Sequence, residues 1–216
     1  MACQVNEMYP CILGESLGAG LPALLIRLAG CNLRCTYCDT TYSLSRTGTP
    51  RSVNELVGAW RECGLSHVLV TGGEPLLQAD SLLLMQSLLD AGAVVHLETN
   101  GTLTVREVPA AVRKVLDVKV PSSAPGLPPS FLLENYGYLQ EWDQLKFVVS
   151  SREDYLWSLA FLRAHPAPLD PSHVLFSPAG GQMEPVLLAE WMVQERLAYR
   201  FSLQIHKVLW GNERGR

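Results

Sequence analysis

Short runs of apolar, often β-branched residues recur along the chain at 23–28, 67–71, 94–99, 115–120, 145–150, 174–177 and 201–205, each bounded by Gly, Pro, Ser or Asp. Runs of this length predict buried strands. Between several of them the spacing becomes helical. After Ser52, Leu56, Val57 and Trp60 share a face, and Ser52 with Glu55 forms a capping box in which each side chain satisfies a free amide. Gly64 predicts the end of that helix. A second helix over 81–91 places Leu83, Leu84, Leu88 and Leu89 together, with Asp80 as N-cap and Gly92 suited to a left-handed cap. Further helices are predicted over 152–164, after Ser150 or Ser151, and over 186–197, where Pro185 stands at a position whose missing N–H costs nothing.

Strand and helix thus alternate, which predicts a parallel sheet with right-handed crossovers. Six or seven such units form either an open doubly wound sheet or an incomplete barrel, and periodicity does not choose between them. The segment 121–129, with four prolines, predicts a loop.

Composition narrows the function. A chain of 216 residues, 48% hydrophobic, encloses a sizeable core, and one α/β domain over 1–216 is the simpler reading. The net charge of -4 and the lack of any basic run leave no electrostatic footprint for a nucleic acid, so a small-molecule substrate is expected. No stretch approaches the roughly 20 apolar residues of a bilayer span, and the first residues lack the pattern of a secretory signal. No membrane association and a cytoplasmic location are therefore expected. Six cysteines are too few for a disulfide scaffold, and clustered cysteines in a reducing compartment point to metal or redox chemistry.

Three of them do cluster. The segment Gly30-Cys31-Asn32-Leu33-Arg34-Cys35-Thr36-Tyr37-Cys38-Asp39-Thr40 directly follows the first predicted strand and brings three thiols to one loop. A structural zinc site closes with four protein ligands, and Cys63 and His67, the nearest candidates, belong to other predicted elements. Three cysteines instead leave one iron of a [4Fe-4S] cube without a protein ligand, an open position for a cofactor. A non-catalytic zinc-binding module stays as the alternative. Cys3, Cys11 and Cys63 lack ligand spacing and read as small buried hydrophobes. His67, His96, His165 and His173 also receive a structural reading, whereas His206 is of more interest.

A strand ending in Thr71-Gly72-Gly73-Glu74-Pro75 supplies a second element: glycines admit close backbone approach, and a carboxylate suits an ammonium. It lacks the ending of a phosphate loop. Further strand ends carry Glu98-Thr99-Asn100-Gly101, Asp117-Val118-Lys119, Lys146 and Ser177-Pro178-Ala179, which a parallel sheet collects at one mouth.

The C-x3-C-x2-C loop, with Tyr37 at its aromatic position, and the Gly-Gly-Glu-Pro run resemble the radical S-adenosylmethionine (SAM) superfamily, and imply an incomplete (β/α) barrel with helices outside. A glycyl-radical-enzyme activating enzyme shares these features. The runs Val5-Asn6-Glu7-Met8, Leu13-Gly14-Glu15, Ile26-Arg27-Leu28-Ala29-Gly30 and Leu203-Gln204-Ile205-His206-Lys207 carry the resemblance further, to the 7-carboxy-7-deazaguanine synthase family. That resemblance implies a lyase that contracts the ring of 6-carboxy-5,6,7,8-tetrahydropterin to 7-carboxy-7-deazaguanine with loss of ammonia, in queuosine biosynthesis. A 5′-deoxyadenosyl radical would abstract a hydrogen from C6 and later return it.

Carried over residue by residue, the resemblance implies Cys31, Cys35 and Cys38 as [4Fe-4S] ligands. It implies Tyr37, Cys38, Asp39, Gly73, Glu74, Asp117, Val118, Lys119, Ser177, Pro178, Ala179 and Gly180 as SAM contacts, with the Glu74 carboxylate on the methionyl amino group. Thr40 matches a Mg²⁺ position, and oxygen donors suit that ion. Ile12, Leu13, Gly14, Glu15, Arg27, Thr71 and Arg216 match substrate positions, Arg27 pairing with the pterin carboxylate in two-pronged geometry. An electron donor such as flavodoxin or ferredoxin and a homodimer are also implied. The chain departs from the family's Gln-Gly-Glu-Gly at Leu13-Gly14-Glu15-Ser16, so a contact from the glutamine side chain is absent.

Overall fold

The computed structural model describes residues 2–124, 131–211 and 213–215. The chain runs β1 (Ala2–Ile12), β2 (Pro22–Leu28), β3 (Thr49–Ser52), α1 (Val53–Cys63), β4 (His67–Gly72), α2 (Asp80–Asp90), β5 (Val94–Thr99), β6 (Arg113–Asp117), β7 (Gln144–Val149), α3 (Arg152–Ala164), β8 (Val174–Pro178), α4 (Pro185–Gln194), β9 (Arg200–Phe201) and α5 (Ile205–Trp210), with short 3-10 turns between. One sheet holds the strands in the order β3-β1-β2-β4-β5-β6-β7-β8-β9. From β2 through β9 each neighbouring pair is parallel, whereas β1 runs antiparallel to β2 and β3.

The two faces of the sheet decide between the architectures. Leu56 and Trp60 of α1, Leu84 and Leu88 of α2, Tyr155 and Leu159 of α3, and Leu188 and Met192 of α4 all join one core with Ile26, Val70, Leu97, Leu116, Phe147 and Phe176 of the strands. The opposite face carries only a small apolar group, Leu13, Ala23, Leu25 and Leu69, with Tyr9 and Cys11 against it. With α1 to α4 all on one face the doubly wound sheet is excluded, and the sheet stays open between β3 and β9 as an incomplete barrel.

Local chemistry placed the helices well. Ser52 and Glu55 make the predicted capping box, and Gly64 ends α1 at φ 72. Ser151 caps α3. In α2 the buried side chains are Ser81, Leu84, Met85 and Leu88, with Leu83 39% exposed, so the face is rotated from the expected one. Asp80 lies in the first turn rather than at the N-cap, and its carboxylate accepts from the Ala2 amide at 2.9 Å. The helix expected over 186–197 stops at Gln194, ahead of Arg196 at φ 52.

The strand expected over 201–205 ends at Phe201, and Ile205 opens α5 because its amide donates to Gly14 O at 2.8 Å instead of to a sheet neighbour. Strand β6 begins and ends earlier than the apolar run; Val118 N still bonds Lys146 O at 2.8 Å, after which Pro121 starts a 3-10 turn. Residues 125–129 of the expected loop lie outside the described residues.

Two strands, β1 and β3, escaped the sequence reading. In β1 the register slips between Val5 and Glu7, so that Val5 and Glu7 face consecutive residues of β2, Leu28 and Arg27. This bulge reverses the pleat: Cys3 and Val5 point into the helix-side core, whereas Tyr9 and Cys11 point inside the barrel.

Candidate active site

The C-terminal ends of the parallel strands open into a cavity of about 240 Å³. Its wall is built from Arg27 of β2, Thr71, Gly72 and Gly73 at the end of β4, Glu98 of β5, Asp117 at the end of β6 and Lys119 beyond it, Lys146 of β7, and Ser177 and Pro178 at the end of β8 with Gly180 beyond it. Cys31, Cys35, Tyr37, Cys38, Asp39 and Thr40 close one side, and Ile12, Gly14 and Glu15 another.

Backbone contacts hold the cysteine loop against the strand ends. Gly73 N donates to Leu28 O at 3.3 Å, Glu74 N to Gly30 O at 2.8 Å, and Thr36 N to Ser123 O at 2.9 Å. A Cβ at Gly73 would collide with the Gly30 carbonyl and the Cys31 side chain, so this glycine is required by packing against the loop. All six cysteines are free. Burial pushes the Cys31 and Cys35 thiols above the ordinary cysteine value, and metal binding would displace their protons. Among the described residues no group of three or more His, Cys, Asp or Glu converges tightly enough to hold a metal ion. Cys31, Cys35 and Cys38 all line the cavity, and three thiolates from one loop are the protein ligands of a [4Fe-4S] cube with one open iron.

Charges of both signs alternate around the cavity. Lys146 bridges Glu15 at 3.1 Å and Asp117 at 3.4 Å, and Lys119 pairs with Asp117 at 3.0 Å. Burial alone raises the Asp117 carboxyl, but Lys119 and Lys146 override it and hold the group below the usual aspartate value. Its Oδ1 is buried without a hydrogen-bond partner, a vacant acceptor for a ligand hydroxyl or ammonium. Asp39 is likewise held low: burial pushes it up, and its ion pair with Lys207 more than compensates. Glu98 moves the other way. Burial pushes its carboxyl up to about 7, against the pull of Lys146, and its hydrogen-bonding neighbour is Thr71 Oγ1 at 3.5 Å.

Several expected residues stand behind the wall. Glu74 is fully buried; its carboxylate accepts from Thr99 Oγ1 at 2.9 Å, Asn100 N at 2.7 Å and Leu76 N at 3.0 Å, so it fixes the turn after β4 and does not line the cavity. Leu13 is 2% exposed in the inner apolar group, its amide bonded to Leu21 O and its carbonyl to Gly20 N. Its apolar side chain and engaged amide offer no free polar group to the cavity. Val118 and Ala179 are buried too, their amides donating to Lys146 O and Val149 O. Thr40 caps no helix with its side chain, and Oγ1 lies 3.8 Å from Cys38 Sγ. Arg216 lies outside the described residues.

The cavity also gathers residues to which the sequence reading gave no place in the site: Tyr9, Cys11, Gln204, His206 and Lys207. Cys11 was expected to be a buried hydrophobe but lies half-buried on the wall. The run 203–207 drew attention only through resemblance; in the fold, His206 packs on Gly14, where a Cβ would overlap its ring.

Residues 25–127 match the model of the radical SAM superfamily. A 7-carboxy-7-deazaguanine synthase of Chlorobaculum tepidum is 41% identical over 209 residues, covering 95% of this chain and 93% of that protein. One of Thermoplasma acidophilum is 34% identical, covering 98% and 99%. The crystal structure of QueE from Escherichia coli superposes with a TM-score of 0.75 over 94% of both chains at 24% identity. With a full-length match at this identity and the cysteine loop, Gly-Gly strand end and cavity in place, the chain belongs to the 7-carboxy-7-deazaguanine synthase family of radical SAM enzymes.

Proposed function

We propose that this chain converts 6-carboxy-5,6,7,8-tetrahydropterin to 7-carboxy-7-deazaguanine with release of ammonia. The observation that carries the reading is the convergence of Cys31, Cys35 and Cys38 with Arg27 and Glu15 on one cavity. The three cysteines would hold a [4Fe-4S] cluster, which with SAM supplies a 5′-deoxyadenosyl radical. Gly73, Asp39, Asp117 and Lys119 would receive SAM, Asp117 through its unpartnered Oδ1. Arg27 binds the pterin carboxylate, and Glu15 accepts from the guanidine-like edge. Glu98, half-buried on the cavity wall with its carboxyl pushed up to about 7, is the group able to hold a proton beside the substrate.

Thr40 would offer an oxygen donor to Mg²⁺, a cation that suits such donors. Flavodoxin or ferredoxin as electron donor, a homodimer and a cytoplasmic location belong to the same reading; among the described residues no helix is long and apolar enough to cross a membrane.

Anaerobic reconstitution with iron and sulfide, followed by incubation with substrate, SAM and reductant, tests it. The deazaguanine product is expected, with SAM regenerated; a reconstituted, SAM-cleaving protein that forms none would refute the assignment. Cys35→Ala is expected to abolish SAM cleavage in a folded protein.

A further inference from the structure

Arg27 does not stand alone on the barrel wall. Its Nε donates to Glu7 Oε1 at 2.6 Å, both side chains being 13% exposed. The Tyr42 hydroxyl donates to the same oxygen at 2.8 Å, and Arg214 reaches Oε2 at 3.4 Å while stacking over the Tyr42 ring at 3.7 Å. Glu7 is thus a hub that ties a cavity arginine to the cysteine-side turn and to the C-terminal segment.

Sequence parity alone would turn Glu7 away. Residues 3, 5, 7, 9 and 11 share a face in a regular strand, and Cys3 and Val5 lie in the helix-side core, where a carboxylate would be buried among aliphatic groups. The bulge at Asn6 inverts the remainder of β1 and sets Glu7 directly opposite Arg27 across the antiparallel pair.

We propose that Glu7 is a positioning residue for Arg27, brought into the barrel by the one-residue bulge, and that it orients the guanidinium for a substrate carboxylate. Gripped at Nε, the guanidinium keeps its Nη1 and Nη2 edge outside the Glu7 bond, and that edge matches a carboxylate in two-pronged geometry. Burial pushes the Glu7 carboxyl up, but the bonds from Arg27 and Tyr42 outweigh it and keep the group ionised. The proposal rests on the reading that Arg27 receives the pterin carboxylate.

The test is a double-mutant cycle on reconstituted holoenzyme with Glu7→Gln, Arg27→Ala and the pair, measuring KM and kcat for 6-carboxytetrahydropterin. Glu7→Gln is expected to raise KM roughly tenfold, the scale of one hydrogen bond to a charged group, with kcat within about twofold. In the Arg27→Ala background the same change is expected to add nothing, because Glu7 acts through the guanidinium. Additive effects, or an unchanged KM in folded Glu7→Gln, overturn the proposal while leaving the substrate reading standing. An unchanged KM in Arg27→Ala removes the substrate reading for Arg27, and the proposal falls with it. Should Glu7→Gln not fold, Glu7→Asp, which withdraws the charge by one methylene, is expected to raise KM at constant kcat; a wild-type KM there is equally fatal.

Discussion

Glu98 has a half-buried carboxyl beside Thr71 that desolvation pushes up to about 7 from 4.5. Between those values the native protein binds more protons than the unfolded chain, so stability is fully present below about pH 4.5 and falls as pH rises through about 7. Glu98→Gln removes the buried charge. It is expected to be more stable than the parent at pH 8, by on the order of 1–3 kcal/mol, and equal to it at pH 4. Thermal unfolding across pH checks this, and a pH-independent difference would contradict the burial argument. Ser16 shows a cost of a different kind. It holds φ 78 at a position where the family reads glycine, a backbone region that costs a side-chain-bearing residue about 1 kcal/mol.

The junction between β4 and the cysteine loop is where an element meets the site. Gly73 and Glu74 donate to Leu28 O and Gly30 O, and the space above Gly73 is filled by the Gly30 carbonyl and Cys31. Gly73→Ala must push the loop away from the strand end, at a cost of about 1–3 kcal/mol. A lowered melting temperature and a substoichiometric iron content after reconstitution are expected together. Full iron loading at unchanged stability would show that the loop adapts freely. Glu74 serves the same junction from within, anchoring the β5 end through Thr99 and Asn100.

Across the whole molecule, residues 204–214 join parts of the chain that are remote in sequence. Ile205 N bonds Gly14 O, Lys207 pairs with Asp39, and Arg214 reaches Glu7. Helix α5 nonetheless buries none of its side chains, and its Val208 is 72% exposed. Few buried apolar contacts place a segment at the low end of local stability. Amide exchange is therefore expected to be faster in 205–210 than in β4 or β7, and to slow when SAM and substrate are added to the holoenzyme. Equal protection with and without ligands would show that the segment does not respond to occupancy.

By itself the sequence determined the features that depend on local chemistry: the Ser52–Glu55 capping box, a serine cap at 150 or 151, the glycine ends, the buried parallel strands and the cysteine loop after β2. Each follows from residues within a few positions of one another, where hydrogen bonding and apolar periodicity suffice. Tertiary structure alone decided the rest. β1 was illegible because Gln4, Asn6, Glu7 and Pro10 interrupt its apolar pattern and the bulge reverses its parity midway. That Thr99 and Asn100, at the end of the next strand, donate to the Glu74 carboxylate behind the cavity wall is likewise invisible in the Gly-Gly-Glu-Pro run. The 201–205 run left the sheet after Phe201, and a helix opened at Ile205, where Gly14, remote in the chain, offered a hydrogen-bond acceptor. Which face a side chain meets, and what already occupies its polar atoms, are set by partners distant in the chain, and no local pattern encodes them.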